Sequence, residues 1–528
     1  MSALGTERRI RLPEAFRGER LAERLPARLM TACGVLWLAL FPLVNDFTYT
    51  HITRTKWLCA LGFAALTIAL TAAARMMQRK PFLESSETKK TAEAIGGPGR
   101  WRLNLPLILG LVYFAWVALS AFFGAWADLR NAAGERTVWM GAVRYEGLLT
   151  HLCYAAVFLF MACARGRMRT VTAAAGAALV LFAGVIALQY AGLNPLGLYP
   201  SGLSIRTSYE FQGTIGNIDM VNGYLCLVVP LLCAPLLTEG VSRLRAALLA
   251  AGLAGVLLQL MMEVQAGYVS VAAGVLLVLW LMLTRPESRA RCLAFGAALC
   301  LTALLRAAID LPWLDGSASV CLTLRRGRWL GLFGGLGAAL ALLAFAAKRH
   351  PGRAMKPWAA WLTLALLALA AVAAVWLLPI PERAGGLWEM REVLHGRGQD
   401  SYGSWRLGAW RHAWAMFLEH PVFGGGPDTF MTALETRLAV TGSYLGEHFD
   451  NPHNIYLTIL ANNGLPALLA YLGMLALTLR KCLKRRTAAS AALAAAVICY
   501  SAQGLFSFSI CLVSPMAWCV MGMAGGEW

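Results

Sequence analysis

Residues 358–379 read WAAWLTLALLALAAVAAVWLLP, a run without one charged side chain. An α-helix rises about 1.5 Å per residue, so about 20 apolar residues cross the ~30 Å hydrocarbon core of a bilayer. Comparable runs recur along the 528-residue chain and predict spans near 29–48, 57–76, 103–126, 148–164, 170–190, 219–238 and 246–262. Further spans are expected near 268–284, 293–309, 329–347, 358–379, 455–478 and 487–510. A shorter run, 511–524, contains Pro515 and reads as a last span or as half of a re-entrant hairpin. Composition agrees: 58% of residues are hydrophobic and 14% charged, against about 25% charged in soluble domains. A soluble enzyme, a disordered protein and a secreted disulfide scaffold are excluded. The expected fold is an all-α polytopic integral membrane protein with about 13–14 transmembrane helices.

The 47 basic against 28 acidic residues give a formal charge of +19. Such an excess can signal nucleic-acid binding, but here the basic residues fall in the gaps between apolar runs, where they orient spans. With the N-terminus placed in the cytoplasm, the segments 1–28, 75–102, 165–169, 239–245, 285–292, 348–357 and 479–486 hold 31 of the 47. That asymmetry orients the chain, with Arg325, Arg326 and Arg328 as a local violation on the outer side. The resulting organisation is a basic cytoplasmic N-terminus (1–28), a membrane domain (29–379), a large external loop (380–451) and C-terminal spans (452–528). The thirteen cysteines form no CxxC pair and mostly sit inside apolar runs as small hydrophobes. Residues 1–28 lack the short apolar core of a cleaved signal peptide.

The external loop differs from the rest. It holds His395, His412, His420 and His448, with His453 just beyond, five of the eight histidines. It also holds Arg383, Arg391, Arg397, Arg406, Arg411 and Arg437. Loops longer than about 15 residues are functional or disordered, and Trp405, Trp410, Trp414, Phe417 and Phe423 argue for order. Within it, 404–419 (SWRLGAWRHAWAMFLE) reads as an amphipathic helix. At about 100° per residue, Arg406, Trp410, Ala413 and Phe417 share a face and Arg411 points away. An arginine on that face needs an anion or carboxylate partner, unless it snorkels to lipid headgroups. Gly424, Gly425 and Gly426 follow, suited to a close backbone approach, an anion-binding nest or a plain turn. In HFDNPHNIYLTILANNG (448–464), His453 and Asn454 stand where the loop enters a span. A neutral imidazole there suits general-base chemistry, and Asn454 suits orienting it or capping the span. A metal arrangement, His448-x-Asp450-x-x-His453, is a weaker alternative with no matching pattern elsewhere.

Residues 405–464 resemble the O-antigen ligase and O-antigen polymerase superfamily of bacterial membrane glycosyltransferases. The resemblance rests on Arg406 with Trp410, then HPVFGGGPDTF (420–430), then HNIYL…NNG (453–464). VRYEGLLT (143–150), GTIGNIDMVNGYL (213–225) and, more weakly, FPLVNDFTYTHITRTKW (41–57) resemble upstream elements of the same superfamily. One departure stands out. Where relatives carry a Ser-Arg-Gly element opening a middle span, this chain reads EVQAGYVSV (263–271).

The resemblance implies a reaction: a glycan passes from a polyprenyl (undecaprenyl) diphosphate carrier to an acceptor hydroxyl at the outer face of the cytoplasmic membrane, in cell-surface polysaccharide biosynthesis. It implies His453 as the base, Arg406 and Arg144 as diphosphate ligands with Arg411 and Arg206 as weaker ones, and Asn454, Glu146 and Asp428 as orienting or sugar-binding groups. No cofactor or metal is expected, because guanidinium groups can carry the diphosphate charge. The expected partners are the lipid-linked donor, a glycan, lipid or protein acceptor, and membrane lipid, with no nucleic acid. A repeat-unit polymerase fits the same residues as a ligase. A transporter for lipid-linked oligosaccharides is a different class, disfavoured by the absence of a visible internal repeat and the scarcity of mid-span charges. A non-catalytic scaffold finds support only in the missing middle arginine.

Overall fold

The computed structural model describes residues 14–79, 104–130, 134–142, 144–163, 165–200, 212–309, 328–350, 352–382, 385–441, 445–446, 448–526 and 528. Among these residues the architecture is helical throughout, with one isolated bridge between Arg130 and Arg136. Eleven helices are long and apolar enough to cross a membrane. In chain order the helices begin with α1 (Glu14–Val35), which continues through a π turn and a 3₁₀ turn to Leu43, then α2 (Ile52–Arg79) and α3 (Leu105–Phe123). The short α4 (Thr137–Met140) precedes α5 (Leu148–Ala162) and α6 (Met168–Tyr190). Next come α7 (Ile218–Glu239), α8 (Arg243–Met262), α9 (Gln265–Thr284) and α10 (Pro286–Ala308). Then follow α11 (Arg328–Arg349) and α12 (Pro357–Leu377). The long loop before the last helices folds into α13 (Gly386–Leu394), α14 (Arg406–Glu419) and α15 (Phe430–Thr441). The chain ends with α16 (Ile455–Arg485), α17 (Ala488–Gln503) and α18 (Ser514–Gly525).

The centre of the bundle is α7, buried on nearly every side. Small residues let its neighbours approach, as membrane helices require when lipid offers no competing hydrophobic drive. A Cβ on Gly252 of α8 would lie 2.5 Å from Cys233 Sγ, and one on Gly255 would lie 2.5 Å from Val229 Cγ2. By contrast, α11 and α12 leave most of their surface exposed, the pattern of helices facing lipid.

Three of the expected spans depart from simple membrane-crossing helices. The helix at 148–162 has 15 residues, about 22 Å, short of the ~30 Å core. The run 487–510 is helical only to Gln503, because residues 504–513 leave the helix to form part of a cavity wall. The run 511–524 becomes α18, twelve residues with all side chains buried. It reaches the start of α3, where the Asn104 side-chain amide donates to Gly525 O at 2.8 Å. Irregular backbone at membrane depth is tolerable when protein surrounds it. The span predicted at 29–48 also stops early, at Leu43, where Pro42 interrupts the ladder by removing an N–H.

Two of the upstream elements singled out in the sequence dock on each other at that point. Lys56 Nζ donates to the carbonyls of Phe41 and Pro42 at 3.1 Å each, and Thr214 Oγ1 donates to Pro42 O at 2.8 Å. Tyr49 OH donates to Gly213 O at 2.5 Å. Lys56 and Thr214 satisfy carbonyls orphaned by the end of α1, and Tyr49 ties the two segments together.

Candidate functional site

The site is organised by a break in α16. Gly464 has φ +79° and ψ 178°, a conformation essentially restricted to glycine. Pro466 has no N–H to return to Asn462 O, and the Leu465 N–H turns away to donate to Pro421 O at 2.9 Å. The carbonyls of Ala461 and Asn462 therefore lose their helical partners, and buried carbonyls need replacements. The glycine run supplies them: the Gly425 N–H donates to Ala461 O at 2.9 Å and the Gly426 N–H to Asn462 O at 2.7 Å. From α3, Ser120 Oγ donates to Asn462 O at 2.9 Å. On the other edge of the run, the N–H groups of Ala125 and Trp126 donate to the carbonyls of Gly424 and Gly425. The space admits no side chain, since a Cβ on Gly425 would lie 2.1 Å from the Trp126 ring. The anion-nest reading of these glycines is thus corrected. All three of their N–H groups are consumed by protein carbonyls, that of Gly424 by His420 O at 3.0 Å, and the run locks the loop onto the broken helix.

The lock carries Asp428, at φ +57° just past the glycines, to the segment before α5. Asp428 Oδ2 accepts from the backbone N–H groups of Ala142 and Glu146 at 2.8 and 3.3 Å. Burial raises its pKa to about 7, against the lowering effect of those two hydrogen bonds. Glu146 Oε1 accepts from Tyr154 OH at 2.6 Å, and burial, more than the neighbouring Asp428 charge, pushes its pKa well up. Arg144 Nε pairs with Asp450 Oδ2, and its guanidinium lies over the Phe508 ring, 5.0 Å from the centroid. Arg144, Glu146, Asp428 and Asp450 line one cavity, whose wall also carries Asn462 and Asn463. The side-chain oxygens of both asparagines are buried without a partner.

His453 stands beside this cavity. Its backbone adopts φ +48° and its N–H donates to Asn451 Oδ1 at 2.8 Å, while Asn451 Nδ2 donates to Asp450 Oδ1 at 2.5 Å. One short chain of contacts therefore ties Arg144 to the His453 turn. The imidazole packs against Phe449 and Phe508, with ring centroids 5.5 and 4.7 Å away, and its Nδ1 is buried without a hydrogen-bond partner. Burial first, then the positive charge of Arg406, pushes its pKa down to about 4. Helix α14 holds the turn in place, because Trp410 Nε1 donates to Pro452 O at 2.8 Å. Arg406 lies one turn earlier on the same face. Its Nη1 reaches Gln265 Oε1 at 3.5 Å and its Nε is buried without a partner.

Sequence reasoning therefore named residues that the fold brings together: His453, Arg406, Arg144, Glu146 and Asp428. Asn454 serves as a cap, its Oδ1 accepting from the N–H groups of Tyr456 and Leu457 at 3.0 Å each. Arg411 stands apart, paired with Asp400 and donating to Gly398 O at 2.7 Å. Arg206 lies outside the described residues, as do Arg325 and Arg326. The histidine–aspartate arrangement does not converge: His448 faces Glu435 at 3.5 Å, and Asp450 faces Arg144. At the departure in 263–271, Glu263 turns to Arg306 at 2.8 Å and to Tyr268 OH at 2.9 Å, which leaves Gln265 facing Arg406. Asp450, weighed only as a metal ligand, Asn451 and Phe508 were missed as partners of Arg144 and the His453 turn. The first two adjoin His453 in sequence, whereas Phe508 lies in a run that reads as plain membrane span.

Residues 313–472 match the family model described as O-antigen ligase. This supports assignment of the chain to the O-antigen ligase superfamily and a role in polysaccharide biosynthesis. The match includes Arg406, Arg411, Asp428, His453 and Asn454, and leaves Arg144, Glu146 and Arg206 outside it. No curated protein matches the chain.

Proposed function

From this O-antigen ligase assignment we propose that the protein transfers a glycan from a polyprenyl diphosphate carrier to an acceptor hydroxyl at the outer face of the cytoplasmic membrane. The observation that carries the reading is the buried, unpartnered Nδ1 of His453 on a turn tied to Arg144 through Asn451 and Asp450 and held by the helix that carries Arg406. His453 takes the proton of the acceptor hydroxyl, the oxygen bonds to the anomeric carbon, and the bond from that carbon to the diphosphate breaks. The diphosphate stays on its lipid. Arg406 and Arg144 stabilise the charge that grows on it, since guanidinium groups offer paired donors to phosphate oxygens and remain charged. Arg144 starts out paired with Asp450, so diphosphate binding exchanges one anionic partner for another. Glu146, Asp428, Asn462 and Asn463 supply hydrogen-bonding groups for sugar hydroxyls on the cavity wall.

Purified protein in lipid, given a labelled polyprenyl-diphosphate oligosaccharide and a membrane extract, tests this directly. Label leaving the carrier for a new molecule identifies a ligase, and a ladder growing on the carrier identifies a polymerase. Replacing both Arg406 and Arg144 by glutamine is expected to reduce kcat/KM by at least ~10²-fold, the usual cost of losing one charge-stabilising donor. Intact substrate with the wild-type protein would dismiss both enzyme readings.

Topology follows the same proposal and has its own measurement. Val440, on α15, is 82% exposed. In intact cells, Val440→Cys is expected to react with a membrane-impermeant thiol reagent. Protection until the cells are opened would place the loop, and the site with it, on the cytoplasmic side.

A further inference from the structure

A second cavity lies inside the bundle, between α7, α8, α9 and α17, away from the site described above. Along α9 it runs from Ser270 to Arg285, about 22 Å at 1.5 Å per residue. That is longer than one leaflet of a ~30 Å core, about 15 Å. Its walls are aliphatic and aromatic side chains with few polar atoms. The cavity has a lateral edge at Val275, which is 37% exposed. Helix α9 begins at Gln265, beside Arg406, so the Arg285 end opens at the end of the bundle remote from His453.

Two polar groups at that end have no protein partner. The Trp280 indole Nε1 is buried without a hydrogen bond, and the tryptophan as a whole is 7% exposed. The Arg285 side chain makes no hydrogen bond and no ion pair among the described residues. The arginines next to it behave differently: Arg291 donates to the carbonyls of Leu237 and Thr238, and Arg289 to those of Met282 and Arg353. Facing Arg285 are the positive charge of Arg486, from the turn between α16 and α17, and the exposed carboxylate of Glu287 on α10. An apolar slot at least one leaflet deep, closed by a free guanidinium, a second cation and an unpartnered N–H, matches a lipid with an acyl chain and an anionic phosphodiester.

We propose that this cavity binds one anionic phospholipid, its acyl chain along α9 between Ser270 and Trp280 and its phosphate on Arg285 and the Trp280 N–H. The occupant belongs to the leaflet opposite the candidate active site. It is therefore distinct from the lipid-linked donor, whose diphosphate would lie at the His453 end.

Native mass spectrometry of the full-length protein released from nanodiscs tests the proposal, using phosphatidylglycerol, phosphatidylcholine and a polyprenyl monophosphate as competing probes. The wild type is expected to retain one phosphatidylglycerol. Arg285→Gln is expected to lower that occupancy at least about tenfold, as loss of a hydrogen-bonded charge does. Gly274→Leu fills the slot, since a Cβ there already lies 3.4 Å from Cys499 Sγ, and is expected to abolish retention. If that variant does not fold, Val278→Trp fills the same slot. Titration of phosphatidylglycerol into delipidated wild type gives a reading independent of any variant. Retention unchanged in Arg285→Gln, equal retention of phosphatidylcholine, occupancy by the polyprenyl phosphate instead, or no retained lipid would each overturn the proposal.

Discussion

Replacing His453 by alanine is expected to lower glycan transfer by about 10²–10⁴-fold, the contribution of a positioned general base, while the amount of folded protein in the membrane stays the same. Removing the imidazole breaks no hydrogen bond at Nδ1 and leaves the backbone tie to Asn451 in place, and it gives up the ring's packing against Phe449 and Phe508. Since that backbone is left-handed, His453→Asn is the better-matched variant: asparagine tolerates the conformation and cannot act as the base. Both variants are expected to lose transfer alike. The pH dependence supplies a second reading. A base must be unprotonated, and burial beside Arg406 brings the folded value down to about 4 from 6.5. For the free enzyme, the limb of kcat/KM set by His453 is therefore expected to fall with unit slope only near pH 4, separate from any change near pH 7 where Asp428 titrates. An unshifted histidine would produce that limb near 6.5. Full activity in His453→Ala would remove the histidine from the mechanism.

The second large effect is structural. Gly464→Ala is expected to destabilise the protein by about 2–5 kcal/mol, combining an unfavourable backbone conformation with overpacking. A Cβ at residue 464 would lie 2.1 Å from Val422 O, and that atom is backbone, so it cannot swing aside. Relief would separate α16 from the 421–426 strand of loop, expose the carbonyls of Ala461 and Asn462, and let Asp428 move away from Ala142 and Glu146. Thermal unfolding in detergent measures the effect directly. Gly473→Ala on the same helix is the control, as its Cβ would meet only the Leu109 side chain, at 2.8 Å. Equal melting of wild type and Gly464→Ala would mean that the kink contributes nothing to holding the loop.

Much of the site was legible because its residue types are costly where they stand. Arg406 interrupts the apolar face of an amphipathic helix, and His453 sits where a loop meets a span. Each position carries a desolvation penalty that a simple scaffold avoids. Arg411 has the same chemistry but a solvent-facing position, and local periodicity could not show that Asp400 answers its charge. The glycine run was ambiguous for a related reason. Whether its N–H groups await an anion or a carbonyl depends on what lies across from them, and the orphaned carbonyls belong to a helix 36 residues further on. Phe508 and Asp450 gain their meaning only from contact with Arg144.

Composition and periodicity alone determined the class of the protein, the number and placing of most apolar helices, and the long loop that carries much of the candidate site. Those properties depend on how each short stretch partitions between water and hydrocarbon, a sum over neighbouring side chains. Only the tertiary structure decided where apolar runs stop being spans: Leu148–Ala162 stays short, 504–513 unwinds beside the cavity, and Ser514–Gly525 is enclosed by protein. It alone decided that the glycines bind a broken helix and that Arg144 reaches the His453 turn. Each of these outcomes depends on satisfying a buried backbone group or charge with a partner far away in sequence, and no local pattern records which partner arrives.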